Sequence, residues 1–122
     1  IDEPEARLGT GDRFCKNKEL FKKVYQRTKY SFCSITHGGN GAKLSHREKI
    51  YNAPALTKTF TDTLGAGDAY FSISSLFALF QKNPEMILLT GNIAGAVKIN
   101  YLGHENYIDV NKFYSSFKSS MA

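Results

Sequence analysis

Helical and strand patterns succeed one another along this chain. In KNKELFKKVYQRT, Leu20, Phe21, Val24 and Tyr25 recur at helical spacing among lysines, which predicts an amphipathic helix with a basic outer face. YSFCSIT, which follows, is near-continuously apolar and rich in aromatic and β-branched residues, as a buried strand is. HGGNGA, with its glycines, is a turn. AKLSHREKIYNAP then predicts a hairpin, two short strands about a polar turn near Ser45-His46-Arg47-Glu48, the second ended by Pro54. At the start, Ile1 followed at once by DEPEARL reads as the end of a strand entering a loop. Pro4 among Asp2, Glu3 and Glu5 suits a short helical first turn.

From Gly65 onward the pattern changes. GDAYFSISSLFALFQK carries Tyr70, Phe71, Ile73, Leu76, Phe77, Leu79 and Phe80, apolar nearly all round, which predicts a helix buried between neighbours. NPEMILLTGNIAGAVKINYLG predicts a second long helix, with Asn83 as its cap, Pro84 at its first position and Gly103 as its stop. Gly91 and Gly95 inside it each cost about 1 kcal/mol against Ala, so something must approach that helix closely. DVNKFYSSFKS predicts a terminal helix with Val110, Phe113, Tyr114 and Phe117 on one side. The order is that of an α/β protein. One buried strand and a small hairpin cannot cover three helices with apolar faces, so the rest of the sheet is expected before Ile1.

Composition narrows the class. At 122 residues the length suits one domain, and 42% hydrophobic with 22% charged residues is ordinary for a globular chain. No run nears the roughly 18 apolar residues of a membrane span, and no secretory leader is recognisable, so a cytoplasmic protein without a membrane partner is expected. Ile1 rather than Met at the first position suggests a chain that begins within a longer protein. Cys15 and Cys33 have no metal-ligand spacing and read as free thiols. The net charge of +5 is spread thinly, and the densest groups, KNK, KK and HREK, lack the interleaved aromatics of a nucleic-acid groove. An anionic small substrate such as a phosphate ester fits this mild bias, and nucleic acid is not expected. His37, His46 and His104 share no ligand spacing and read as surface or turn residues. There is no G-x-S-x-G elbow and no G-x-x-x-x-G-K-[ST] loop.

The stretch TDTLGAGDAYFS places Gly65-Ala66-Gly67 directly before Asp68 and an apolar helix. Two readings stand. In one, small residues turn the chain and Asp68 stabilises the positive end of the helix dipole. In the other, bare amides at the helix start cradle an anion, and the carboxylate beside them is a base. Asp62, the second acid bracketing the glycines, is explained only by the latter.

DTLGAGDAYFS resembles the D-T-x-G-A-G-D-x-F signature of the ribokinase-like (PfkB) carbohydrate kinases. In the same order as in that family, ITHGGNGA resembles its T-x-G-x-x-G turn, and IDEPEARL its N-x-x-E stretch, with Asp2 in place of Asn and Glu5 as the acid. GNIAGAVKINYLG resembles its nucleotide-side helix. The resemblance covers essentially the whole chain, as the C-terminal part of a doubly wound α/β/α sandwich. It implies ATP-dependent phosphorylation of a sugar or sugar-phosphate hydroxyl. Asp68 then matches the catalytic base, and Gly65, Ala66 and Gly67 the anion hole. Thr36, Gly38 and Gly41 match the turn along the nucleotide. Asn92 lies where the purine is met, with Gly95 and Ala96 letting the base approach. Glu5 matches the acid that acts on Mg²⁺ through water. Asp62 matches a position that helps hold a monovalent cation such as K⁺, near the Tyr101-Leu102-Gly103 turn.

The pattern is most similar to the heptose-phosphate kinase branch, some of whose members are fused to a nucleotidyltransferase. Leu64 for a common Thr, Ile73 for a small residue and Asp2 for Asn depart from the family. A noncatalytic nucleotide-binding or regulatory relative, and an α/β interaction module, are the competing readings. The sugar-contacting residues would come from the N-terminal part of the same protein. The present chain should therefore expose an apolar face, self-associate or form a homodimer, bind ATP weakly and phosphorylate nothing alone.

Overall fold

A capping box starts the first helix. The Asp2 carboxylate accepts the Glu5 amide at 2.7 Å, and the Glu5 carboxylate accepts the Asp2 amide at 3.1 Å. With Pro4 in the first turn as well, α1 (Glu3–Thr10) is a full helix where the sequence promised one turn. The computed structural model describes residues 1–57, 64–80, 83–100 and 109–122. Gly11, at φ 72°, closes α1. The second helix, α2 (Asn17–Thr28), buries Leu20, Phe21 and Val24. Tyr25, expected beside them, is 47% exposed and meets Tyr30 edge-on instead.

Strands β1 (Phe32–Thr36), β2 (Ala42–His46) and β3 (Lys49–Ala53) pair antiparallel in that order. The hairpin turn narrows to Arg47-Glu48, both at positive φ (47° and 65°), the geometry that follows the twist of a two-residue hairpin. On the other edge of β1, Ile1 and Asp2 run parallel to it, and the Thr36 amide donates to the Ile1 carbonyl at 3.1 Å. The pairing is a single bridge, Asp2 opposite Thr36, and not a full strand among the described residues.

Strand alternation distributes the sheet between two helical layers. Cys33 and Ile35 face Ala6 of α1 and Leu20, Phe21 and Val24 of α2. Ala42 and Leu44, on the opposite face, meet Tyr70, Ile87 and Leu88 of the helices α3 (Ala66–Leu79) and α4 (Pro84–Ile99). Ser34 lies opposite Leu44 in the register and shares that second face. The result is a helix–sheet–helix sandwich. Burial pushes the Cys33 thiol up to about 11, so it stays protonated.

Three expectations are corrected here. The helix α3 is not buried all round among the described residues: Ala69, Tyr70 and Ser74 are buried, whereas Phe71 and Leu79 are 66% and 74% exposed. The sheet and α4 cover only one of its sides. The helix α4 starts at the Asn83 cap, which accepts the Met86 amide at 2.8 Å, but it ends at Ile99, short of the expected stop. Gly103 lies outside the described residues. The terminal helix α5 (Val110–Met121), capped by Asp109, packs on α4 with Phe113 and Phe117 only half-buried and Val110 and Tyr114 exposed. Among the described residues no helix is long and apolar enough to cross a membrane.

Candidate functional site

The glycine turn opens α3 as a bare helix start. Gly65 adopts φ 79°, a left-handed conformation that suits glycine, and it offers no side chain to cap the first turn. The amides of Ala66, Gly67 and Asp68 therefore have no partner within the helix. Gly67 and Asp68 are exposed, and a Cβ built on Gly67 would meet nothing within 4 Å. Asp68 is the third helical residue, where a carboxylate also complements the dipole.

Gly67 and Asp68, but not Gly65 or Ala66, line a cleft of about 510 Å³ between α3 and the β1 edge. Asp2, Glu5 and Thr36 line the same cleft. The parallel pairing of Ile1-Asp2 with β1 carries the α1 cap to the end of the sheet where α3 begins. Residues separated by more than 60 positions in sequence thus converge on one opening. Glu5 is already engaged there, one of its oxygens being held by the Asp2 amide. Among the described residues no cluster of three His, Cys, Asp or Glu side chains could hold a metal. Asp62 and the Tyr101–Gly103 turn lie outside the described residues.

Of the expected nucleotide-side residues, Gly41 and Asn92 meet at a second place, the end of β3, whereas Thr36 lines the first cleft and Gly95 packs on the start of α3. The turn after β1 closes through the His37 amide on the Gly41 carbonyl at 2.8 Å and the Gly41 amide on the Gly38 carbonyl at 3.0 Å. Gly38 and Gly41 have φ 54° and 87°. A Cβ on Gly41 would collide with the Ala53 carbonyl oxygen and stand 2.6 Å from the Pro54 carbonyl carbon. From the other side Asn92 donates to the Pro54 carbonyl at 2.9 Å. Turn, strand end and α4 are thereby locked together, and it is the Asn92 Nδ2 group that makes the lock.

The close approach to the α4 glycines comes from α3. A Cβ on Gly91 would lie 2.6 Å from the Tyr70 ring, and one on Gly95 would lie 3.4 Å from the Ala66 carbonyl. Gly95 is buried there, and Ala96 is half-buried.

Two features escaped the sequence reading. His37 is no surface histidine: its side chain is 8% exposed, and its Nδ1 lies 2.6 Å from a Glu3 oxygen. Arg7 donates to the other Glu3 oxygen through Nε at 2.9 Å and Nη2 at 2.6 Å. The His37 contact, then Arg7, hold the Glu3 carboxyl below its usual range. This network ties α1 to the turn after β1. Glu3 and Arg7, four apart on a helix, were legible as a pair; their histidine partner was not. The second feature is Tyr70, which stands where the D-T-x-G-A-G-D-x-F signature has Phe. Its buried hydroxyl reaches Ser34 Oγ at 2.6 Å.

No family profile matches the chain. A stretch of 73 residues is 33% identical to the bifunctional protein HldE of Koribacter versatilis (strain Ellin345), covering 60% of this chain and 15% of that protein. Several solved kinases superpose on nearly all of it. Phosphofructokinase-2 from Escherichia coli in complex with potassium gives a TM-score of 0.83 at 14% identity, covering 99% of this chain and 40% of that one. Ribokinase from Thermotoga maritima gives 0.80 at 20% identity, covering 97% and 40%. The Burkholderia thailandensis nucleoside kinase in complex with inosine gives 0.77 at 21% identity, covering 98% and 38%. The chain therefore spans at most two-fifths of the length of these kinases and a smaller part of HldE. Its architecture over that span is the ribokinase-like α/β fold, the fold that the resemblance of DTLGAGDAYFS to the family signature implies.

Proposed function

We propose that this chain supplies the nucleotide side, the anion hole and the general base of a kinase that phosphorylates a sugar or sugar-phosphate hydroxyl. The observation that carries the reading is the cleft in which Gly67 and Asp68, at an uncapped helix start, face Asp2, Glu5 and Thr36. Bound ATP supplies the phosphoryl group. The amides of Gly65, Ala66 and Gly67, at the positive end of α3, stabilise the negative charge that develops during transfer. Asp68 accepts the proton of the acceptor hydroxyl. Thr36, Gly38 and Gly41 shape the nucleotide-side turn. Asn92 acts there by holding the Ala53-Pro54 segment against it, and Gly95 lets α4 and the start of α3 lie close.

Since no three acidic side chains among the described residues are placed to hold a metal by themselves, Mg²⁺ would be held chiefly by phosphate oxygens and water. Mg²⁺ keeps several waters and takes only one or two protein carboxylates beside phosphate oxygens. Asp2, Glu5 and Asp68 line one cleft, and Glu5 would act through water. Asp62 and the Tyr101-Leu102-Gly103 turn are proposed for a monovalent cation such as K⁺. The remaining part of the same protein would provide the acceptor platform. The motif pattern's likeness to the heptose-phosphate kinase branch supports a sugar-phosphate acceptor, and a cytoplasmic site of action is proposed with it.

One observation favours a noncatalytic nucleotide-binding relative, namely the commitment of Glu5 to the α1 capping box. Coupled ADP release by the full-length protein over a panel of sugars and sugar phosphates separates the two. Turnover that falls 10²–10⁴-fold in Asp68→Asn with ATP binding retained is the expected outcome. ATP binding without turnover on any acceptor would favour the noncatalytic relative. Turnover within a few-fold of wild type would remove Asp68 from its role.

A further inference from the structure

The first turn of α3 carries both Gly67 and Asp68, and both are exposed, with nothing within 4 Å of a Cβ built on Gly67. Two residues on from Asp68, Tyr70 points inward, on the helix face of Gly67, and lines the floor of the same cleft together with Ser34. Its side chain is 6% exposed. The ring lies over Gly91 of α4, where the absence of a Cβ leaves room that any other residue would fill. The hydroxyl crosses to β1 and meets Ser34 Oγ at 2.6 Å. Ser34 Oγ in turn donates to the Lys43 carbonyl of β2 at 3.3 Å, which makes Tyr70 the donor to Ser34. One side chain therefore ties the start of α3 to α4 through its ring and to two strands through its hydroxyl. Burial pushes the phenol up to about 12, so the donor persists across the physiological range.

We propose that Tyr70 is a positioning residue: through the Tyr70–Ser34–Lys43 hydrogen-bond chain and the Gly91 seat, it fixes the first turn of α3 and so the placement of Asp68 and Gly67 in the cleft. Its kinetic consequence rests on the kinase reading given above. Phosphoryl transfer depends on near-attack placement, and a small misplacement costs turnover more than binding. Phe, which the signature has at this position, would keep the ring seat and lose the link to the sheet.

The test uses the full-length protein with Tyr70→Phe, Ser34→Ala and the double variant, read in two ways. Tyr70→Phe retains the ring over Gly91 and is expected to fold. Steady-state kinetics should give a kcat lowered about ten-fold in each single variant and no further in the double, with KM for ATP and acceptor within about two-fold. Hydrogen exchange, which needs no activity, should show the amides of the first two turns of α3 exchanging about ten-fold faster while those of α4 keep their protection. Unchanged exchange in α3 overturns the clamp. Faster exchange with unchanged kcat, or a loss confined to KM, overturns its positioning role. If wild type turns over no acceptor, the kinase reading and the positioning role fall together, and exchange alone decides whether the clamp exists.

Discussion

Fold and cleft ask opposite things of Gly67. Within α3 a glycine is a liability, since Gly costs up to about 1 kcal/mol against Ala in a helix. Gly67 has no positive φ to excuse it, and a Cβ built there meets nothing within 4 Å. At the second helical position the backbone is only partly committed, so Gly67→Ala should stabilise the protein by about 0.5 kcal/mol. With a urea slope of about 1–3 kcal/mol per M, the unfolding midpoint should rise by roughly 0.2–0.5 M. The cleft predicts the reverse for activity. The added methyl stands beside amides proposed to receive the phosphoryl oxygens, and losing one such donor typically costs about 10²–10³ in kcat. Urea titration of wild type and Gly67→Ala, with kcat measured on the same preparations, reads both effects. A lower midpoint would refute the open-space argument. A higher midpoint with undiminished turnover would return the glycines to the turn-only reading.

Gly41→Ala should be among the costlier single changes, about 2–4 kcal/mol in urea unfolding, because it combines a φ of 87° with a backbone collision that no side-chain rotation relieves; near-wild-type stability would contradict that packing. Replacing Arg47-Glu48 by Asn-Gly should raise stability by about 1 kcal/mol, since both positions hold positive φ in a two-residue hairpin, and an unchanged melting temperature would count against the turn geometry. Glu3 titrates below its ordinary 4.5 in the folded protein, so the stability it contributes is complete above that pH and is lost as pH falls through the lower folded value. Glu3→Gln should therefore lower the urea midpoint at neutral pH and flatten its decline below about pH 4.5; parallel pH profiles for the two proteins would show that the His37–Glu3–Arg7 network contributes nothing.

Much of the layout was legible locally. The spacing of Leu20, Phe21 and Val24 marks α2, Asn83-Pro84 marks the start of α4, and the β-branched and aromatic run of YSFCSIT marks β1, because period, capping and strand preference act within a few residues. The hairpin was legible, but its turn was narrower than the polar run, since twist rather than polarity selects the two central residues. The extent of α1 was underestimated because Asp2 and Glu5 cap each other reciprocally, which their identities allow but do not require. The all-round apolar pattern of α3 could not reveal which side is covered; that depends on what packs against it.

By itself the sequence determined most element types, the Asn83 cap of α4, the glycine-framed start of α3 with Asp68 behind it, and the likeness to the ribokinase-like signature. All of these are set by neighbours along the chain. Only the tertiary structure decided that Asp68 and Glu5 share a cleft, that His37 is buried on Glu3 rather than exposed, and that Gly91 makes room for Tyr70. Each of these joins residues tens of positions apart, and such pairs are chosen by how the sheet orders its strands and how closely two helices can pack, which no local period encodes.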